Sequence, residues 1–330
     1  MSLQGPIIVV SAARQPVFAA ALDDTKMFPI IDTTWDDALG AVAQLQPAAV
    51  FVEMSDTVEP RFEALAKHIA ARQPYVPLIA IDPRTSLPEN AIPFSQAGGG
   101  ADRLTARLRA ALRVRTLHAT VMRRLDHQAA ARPAIAGMDP VRDATVLLIG
   151  RGTAYPALSV VLGERMGIVG ALSIEAAARH LNTRDIDGIV LAEGFSARVV
   201  DAFLTVLAED PRFRNLPVVV ALDGLAPAYD LPNLEIVSGD PARIAANALP
   251  LIRQHAFEAH LSRTLRSIDA GGLLDPRTGL LTAAAFNRDF ATAVRQTLAH
   301  GGGLSVAKRT APRLRSSVCP EPNCVAPPSL

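Results

Sequence analysis

The stretch Pro47-Ala48-Ala49-Val50-Phe51-Val52-Glu53 decides how this chain folds. It is an apolar run, too short for a core helix, that stops at a lone carboxylate. Such a run predicts a strand covered on both faces, as strands of parallel sheets are. The carboxylate after it falls at the carboxyl end of the strand, where open α/β sheets gather ligand and catalytic groups. Gly188-Ile189-Val190-Leu191-Ala192-Glu193 repeats the pattern further along the chain.

Working outward, Pro6 to Val10 reads as the preceding strand, Gln15 to Leu22 as a helix and Pro29-Ile30-Ile31 as another short strand. Thr34 is expected to cap the next helix, with Asp36 and Asp37 favouring its positive amino end. A helix from Phe62 to Ala71, a strand Pro77 to Asp82, a strand Ala91 to Phe94 and a helix from Asp102 complete the unit. Strands alternating with helices predict an α/β fold with a doubly wound, five-stranded parallel sheet. The last helix carries Leu104, Leu108, Leu112 and Leu117 on one stripe and runs on toward Leu125. A stripe that outlasts its own sheet packs on something else, either a second module or a partner subunit. Arg132-Pro133 and Asp139-Pro140 mark the boundary.

Thr145 to Ile149 restarts the alternation. Ser11 to Glu53 spans 42 residues and Gly150 to Glu193 spans 43; Glu53 to Asp82 spans 29 and Glu193 to Asp223 spans 30. The chain therefore contains the same unit twice. Gly150-Arg151-Gly152 invites a dinucleotide reading, but the fingerprint's third glycine would fall at Tyr155. Gly98 to Gly100 and Gly301 to Gly303 read as turns, since no Lys-Ser/Thr follows either.

Composition narrows the function classes. Of 330 residues, Lys and Arg total 33 and Asp and Glu 32, a balance unlike a nucleic-acid surface. Aromatics are 5%, too few for a base-stacking platform. No apolar run reaches the length of a membrane span and no secretory signal opens the chain. Both cysteines, Cys319 and Cys324, lie near the end, which leaves the body without a disulfide framework and makes the cytoplasm the expected compartment. As a metal site the two are weak, with no His or further Cys beside them.

Ala242 to Ile268 reads as helix with Pro250 as a kink or break, followed by Asp275-Pro276-Arg277-Thr278-Gly279-Leu280 and a helix through Phe286 and Phe290. From Lys308 periodicity stops and Pro, Arg and Ser dominate, which predicts disorder. We take the change of character as a hypothesis of a shifted reading frame near residue 307. It fails if neither other frame of the downstream DNA continues the domain.

The order and spacing of both units resemble the receiver domains of two-component response regulators, whose fold is flavodoxin/CheY-like. The family's metal-holding acidic pair falls here at Ser11 and Ala12 and at Gly150 and Arg151. Its phosphoacceptor falls at Glu53 and Glu193, and its phosphate-sensing hydroxyl at Asp82 and Asp223. The sensing Lys is missing from both fifth strands. An aspartyl phosphate needs a metal and a cation to offset its charge, so the resemblance implies two degenerate, non-phosphorylatable copies. Glu53 reads either as a mimic of the phosphorylated state or as a solvated carboxylate.

Asp275, Arg277, Thr278, Gly279, Leu280 and Phe286 resemble the opening motif of GGDEF diguanylate cyclases. Thr282 and Ala291 stand where that family contacts guanine, and the metal-binding Asp and signature hairpin do not follow. The resemblance thus implies receiver-like domains at 1–117 and 143–260, a helical linker at 118–142, a truncated GGDEF start at 261–307 and a disordered tail at 308–330. It implies a signalling protein that forms a homodimer or binds other response regulators or histidine kinases, with no nucleic acid and no membrane. No cofactor is expected; Mg²⁺ and GTP would enter only with a complete cyclase. The alternative is a diguanylate cyclase, making cyclic di-GMP from GTP, whose catalytic half lies outside this chain.

Overall fold

The computed structural model describes residues 5–12, 16–24, 26–54, 60–83, 87–96, 100–126, 139–222, 225, 229–300 and 304. Residues 1–285 form one compact unit and 286–330 a second. The calls on Asp223, Arg132-Pro133, Gly301 to Gly303, the tail and its cysteines lie outside the described residues.

The first half of the larger unit runs β1 (Ile7–Val10), α1 (Val17–Asp23), β2 (Ile30–Thr33), α2 (Ala38–Leu45), β3 (Ala49–Glu53), α3 (Pro60–Ala70), β4 (Leu78–Ile81), β5 (Ala91–Phe94) and α4 (Ala101–Asp126). The second half runs β6 (Thr145–Ile149), α5 (Tyr155–Gly163), β7 (Gly167–Ala171), α6 (Ile174–Thr183), β8 (Gly188–Leu191), α7 (Ala197–Glu209), β9 (Val218–Val220), β10 (Leu234–Ile236) and α8 (Pro241–Asp269). Each half holds a five-stranded sheet, in the orders β2-β1-β3-β4-β5 and β7-β6-β8-β9-β10. Every pairing is parallel. Helices cover both faces, so each sheet is doubly wound, as the buried runs require.

The deciding run is central strand β3, with Val50, Phe51 and Val52 fully buried. Its alternate side chains serve different layers. Val50 and Val52 pack with Val42, Phe62, Leu65 and Ile69 of α2 and α3. Phe51 faces the opposite layer, where one apolar cluster runs from Phe18 and Leu108 through Val146 and Val190 to Ile252. That cluster joins the two sheets into one body.

The α4 stripe has its answer here. Leu104 and Leu108 are buried in the shared cluster. Val114, Val121 and Leu125 close against Leu261 of α8. Of the two partners left open by the sequence, the second module is the one it meets. Pro250 lies inside α8 without ending it.

Thr34 is a correction: helix α2 begins only at Ala38, and the Thr34 hydroxyl donates to the Asp37 carboxylate at 3.0 Å instead of capping. After α8, Leu274 and Leu281 form an antiparallel bridge, and α9 (Ala283–His300) follows. Within α9, the Phe286 and Phe290 rings stack 5.7 Å apart. Among the described residues no helix is long and apolar enough to cross a membrane.

Candidate functional site

In an open parallel sheet the place to look is the loops at the strand carboxyl ends. In the first sheet, Ser11 follows β1 and is buried, Ala12 is exposed, and Glu53 ends β3 half-buried. Asp82 follows β4 in a left-handed conformation, φ 48°. Its carboxylate accepts the Gln96 backbone N–H at 2.7 Å and the Gln96 side-chain amide at 2.8 Å. The Asp82 N–H in turn donates to Phe94 O at 2.8 Å. Asp82 is thus a bracket holding the ends of β4 and β5 together, and its two oxygens are occupied by that task.

In the second sheet the described loops after β6 and β8 bind each other. The loop after β6 would have to offer N–H groups to cradle a phosphate. Instead the Arg151 and Gly152 N–H groups donate to Glu193 O at 2.9 and 3.1 Å, and Gly150 N–H donates to Ala171 O at 3.1 Å. The Glu193 side chain lies against Gly152, where a Cβ would come within 2.6 Å of Glu193 Cβ and 2.8 Å of its Oε2. Gly194, at φ +111°, leaves no room for a Cβ beside Arg151. The Arg151 guanidinium sits 4.8 Å from the Phe195 ring centre, a cation–π contact. Gly150, Arg151 and Glu193 therefore meet, in a loop-to-loop lock rather than an open cradle.

The strongest polar cluster lies elsewhere, where α4 meets the far edge of the second sheet. The fully buried Arg107 donates to the carbonyls of Pro232, Pro93 (2.6 Å) and Leu234 (3.0 Å) and to Glu235 Oε1 (2.8 Å). Arg103 reaches the same carboxylate oxygen at 3.2 Å and Leu234 O at 2.9 Å. Glu235 Oε2 accepts the Ser95 N–H at 3.2 Å. Burial pushes the Glu235 carboxyl up and Arg107 down to about 10, while each holds the other charged. The sequence signals for this cluster were the i, i+4 arginines on α4 and a lone Glu inside an apolar strand. Scanning only strand ends for acids passed over it.

A cavity of about 210 Å³ lies between the halves, bordered by Tyr75, Glu89, Asn90, Gln254 and Phe257. Its carboxylate is committed: Glu89 binds Arg165 at 2.5 Å and also Arg253. The hydrogen bond from Arg165 holds the Glu89 carboxyl below its ordinary range. Among the described residues no group of three or more His, Cys, Asp or Glu is placed to hold a metal ion.

No family model matches this chain, and no curated protein matches it. Solved structures that superpose on it include a transcription-regulator-like protein from Staphylococcus haemolyticus, at 11% identity and TM-score 0.23, covering 75% of this chain and 90% of that one. Another is a LacI transcriptional regulator from a Rhodococcus species, at 14% identity and TM-score 0.22, covering 80% and 90%. A third is a D-isomer specific 2-hydroxyacid dehydrogenase from Xanthobacter autotrophicus Py2, at 13% identity and TM-score 0.22, covering 84% and 99%. At these scores the likeness assigns no function.

The family expectation is corrected by these findings. No family model, of receivers or of diguanylate cyclases, matches the chain, and none of the three solved structures named is a response regulator or a cyclase. The assignment as a two-component or cyclic di-GMP signalling protein falls with it. The physical reason is that both sets of cues follow from local geometry. Matched spacing between strand-end acids comes from repeating a doubly wound unit, which many families share. The 275–280 motif is accounted for by turn chemistry: Asp275 Oδ1 accepts the Arg277 N–H at 2.8 Å, Thr278 Oγ1 accepts the Leu280 N–H at 3.3 Å, and Gly279 takes φ +70°. Arg277 itself reaches back to Asp143 at 2.9 Å. Phe286 serves the ring stack in α9.

Proposed function

We propose that this chain is a non-catalytic adaptor, a stiff double-sheet body that acts by presenting surface to other proteins, including copies of itself. The observation that carries this reading is the locked state of the strand carboxyl ends. Asp82 is held by Gln96, and the Arg151 and Gly152 N–H groups are held by Glu193 O. The strand order, with the first strand flanked by the second and third, is the flavodoxin-like one, in which ligands enter at this end. Among the described residues, the polar groups at that entrance are committed to one another, which turns the reading toward the flanks.

The joint between the halves supports the same reading. Enzymes and sensors that close on a ligand hinge between modules. Here the Arg107–Glu235 cluster and a continuous apolar core span the joint, which makes it a weld. A cytoplasmic location belongs to the same proposal.

Titration calorimetry on the full chain with NAD, ATP and GTP tests it. The expected result is no saturable heat. Binding tighter than about 100 μM, or about −5.5 kcal/mol, that Gly152→Val abolishes sinks the reading.

A further inference from the structure

The cavity beside Tyr75 lies at the other end of the first sheet from the loops described above. Tyr75 and Val76 lead into β4, and Glu89 and Asn90 lead into β5, so these residues sit at the amino ends of their strands. The facing wall is Pro250, Gln254 and Phe257 of α8, from the second half of the body. Ile69, Val76 and Ile92 add buried apolar surface to the lining. An apolar wall with a few polar groups that fix orientation is the usual make-up of a small-molecule site.

One buried polar group in that lining is unpaired. Gln254 is 9% exposed, and its side-chain Nε2 is buried without a hydrogen-bond partner. A buried donor left so is a standing cost to the fold, which an apolar side chain at the same place would avoid. Its polar neighbours are in use: the Asn90 side chain donates to Ala66 O at 2.9 Å, and Glu89 accepts from Arg165 and Arg253. The aromatic wall is also fixed. Tyr75 N–H donates to His118 Nδ1 at 2.8 Å, and Tyr75 O accepts from Arg115 at 2.9 Å. The Tyr75 and Phe257 rings meet edge to face with centres 5.8 Å apart. We infer that this cavity binds a small neutral phenol, its ring beside Phe257 and its hydroxyl on the Gln254 amide.

Size, charge and polarity each narrow the ligand. An apolar cavity of ~150 Å³ takes benzene, so about 210 Å³ takes one ring with two small substituents. At the rim, Glu89 pairs with Arg165 and Arg253, and Arg253 also reaches Asp139 at 3.6 Å. Two acids against two guanidiniums leave no charge for an anion to answer. Burial pushes the Tyr75 pKa up, so its hydroxyl stays protonated and adds none. A ligand hydroxyl both donates and accepts, so it can pair with either end of the Gln254 amide. This inference goes beyond the adaptor reading: the ligand would touch both halves and leave the strand carboxyl ends alone.

Titration calorimetry of the full chain with p-cresol, its near-isostere p-xylene and benzoate tests it. p-Cresol is expected to bind with Kd below about 1 mM, p-xylene at least about fivefold more weakly, and benzoate not at all. Gln254→Leu is expected to bring p-cresol down to the level of p-xylene and, without ligand, to raise the urea midpoint. Ala70→Phe, which adds a ring beside the cavity from the exposed end of α3, is expected to abolish binding of both. No binding of p-cresol overturns the proposal. So does binding that neither variant weakens, or benzoate binding as tight as p-cresol. A urea midpoint lowered by Gln254→Leu would mean that the amide is already paired, and overturns it too. All of these leave the adaptor reading standing; nucleotide binding at the strand carboxyl ends is the separate result that removes that reading.

Discussion

The carboxylate of Glu235, in the last strand of the second sheet, lies 2.8 Å from the guanidinium of Arg107, on the helix that closes the first. Both side chains are at most 2% exposed. Removing one member of such a buried cluster costs more than the cluster gains over an apolar core, because the survivor keeps its charge without solvent. Among the described residues Glu235 is the sole acid serving these two buried arginines, so its loss is the worst case. We expect Glu235→Gln to cost about 3–5 kcal/mol and Arg103→Met under about 2 kcal/mol, since Arg107 still answers the carboxylate. Urea unfolding of the full chain measures both, and equal costs would contradict this ordering.

His118 makes stability depend on pH. Its Nδ1 accepts the Tyr75 N–H at 2.8 Å, which requires an unprotonated nitrogen. Burial first, then the nearby Arg115, holds its pKa below the ordinary 6.5. A depressed pKa means the unfolded chain binds the proton more readily, so the contribution is full above pH ~6.5 and is lost as pH falls through the folded value. The urea midpoint is expected to drop between pH 7.5 and 5.5, and His118→Gln to flatten that drop. An unchanged slope in the variant would remove His118 from the account.

Asp82 is expected to behave as a bracket. Asp82→Ala loses two accepted hydrogen bonds and places alanine at φ 48°, a combined cost of about 1–2 kcal/mol. Asp82→Asn keeps an acceptor and a residue tolerant of that conformation, and is expected to cost less than about 1 kcal/mol. Thermal unfolding separates the two, and a harsher effect from Asn would argue for a role of the charge itself.

The loop lock predicts a paired rescue. Gly152→Ala drives a Cβ into Glu193 and is expected to cost about 1–3 kcal/mol. Adding Glu193→Gly clears the contact and should return most of that loss, as a double-mutant cycle can show. Additive costs in the double variant would mean that the two loops do not lock.

Much of the architecture was legible before any coordinates. Val50 to Val52, Leu78 to Ile81 and Thr145 to Ile149 are continuous apolar runs, a pattern that only strands covered on both faces need. Equal spacing between halves exposed the repeat. Strand β7 was harder to see, because Gly167 and Gly170 dilute its apolar signal. Thr34 misled because Asp37, closer to the helix, takes its hydroxyl. At the strand ends the sequence shows which residues arrive but not which backbone groups they meet. Whether Arg151 and Gly152 offer their N–H groups outward or spend them on Glu193 O is decided by loop geometry alone. The inter-sheet ion cluster was hidden for the same reason: Arg107 and Glu235 are 128 residues apart in the chain.

Helix α8, 29 residues and about 43 Å long, supplies surface to β5, β8, β9, α4 and α5 alike. It is also translated late, after every strand of both sheets. A nascent chain therefore emerges with Val114 and Val121, which close against Leu261 of that helix, uncovered, and remains adhesive until residues 241–269 leave the ribosome. Maturation is gated by that helix, so a premature stop before it yields a client for chaperones rather than a smaller working protein.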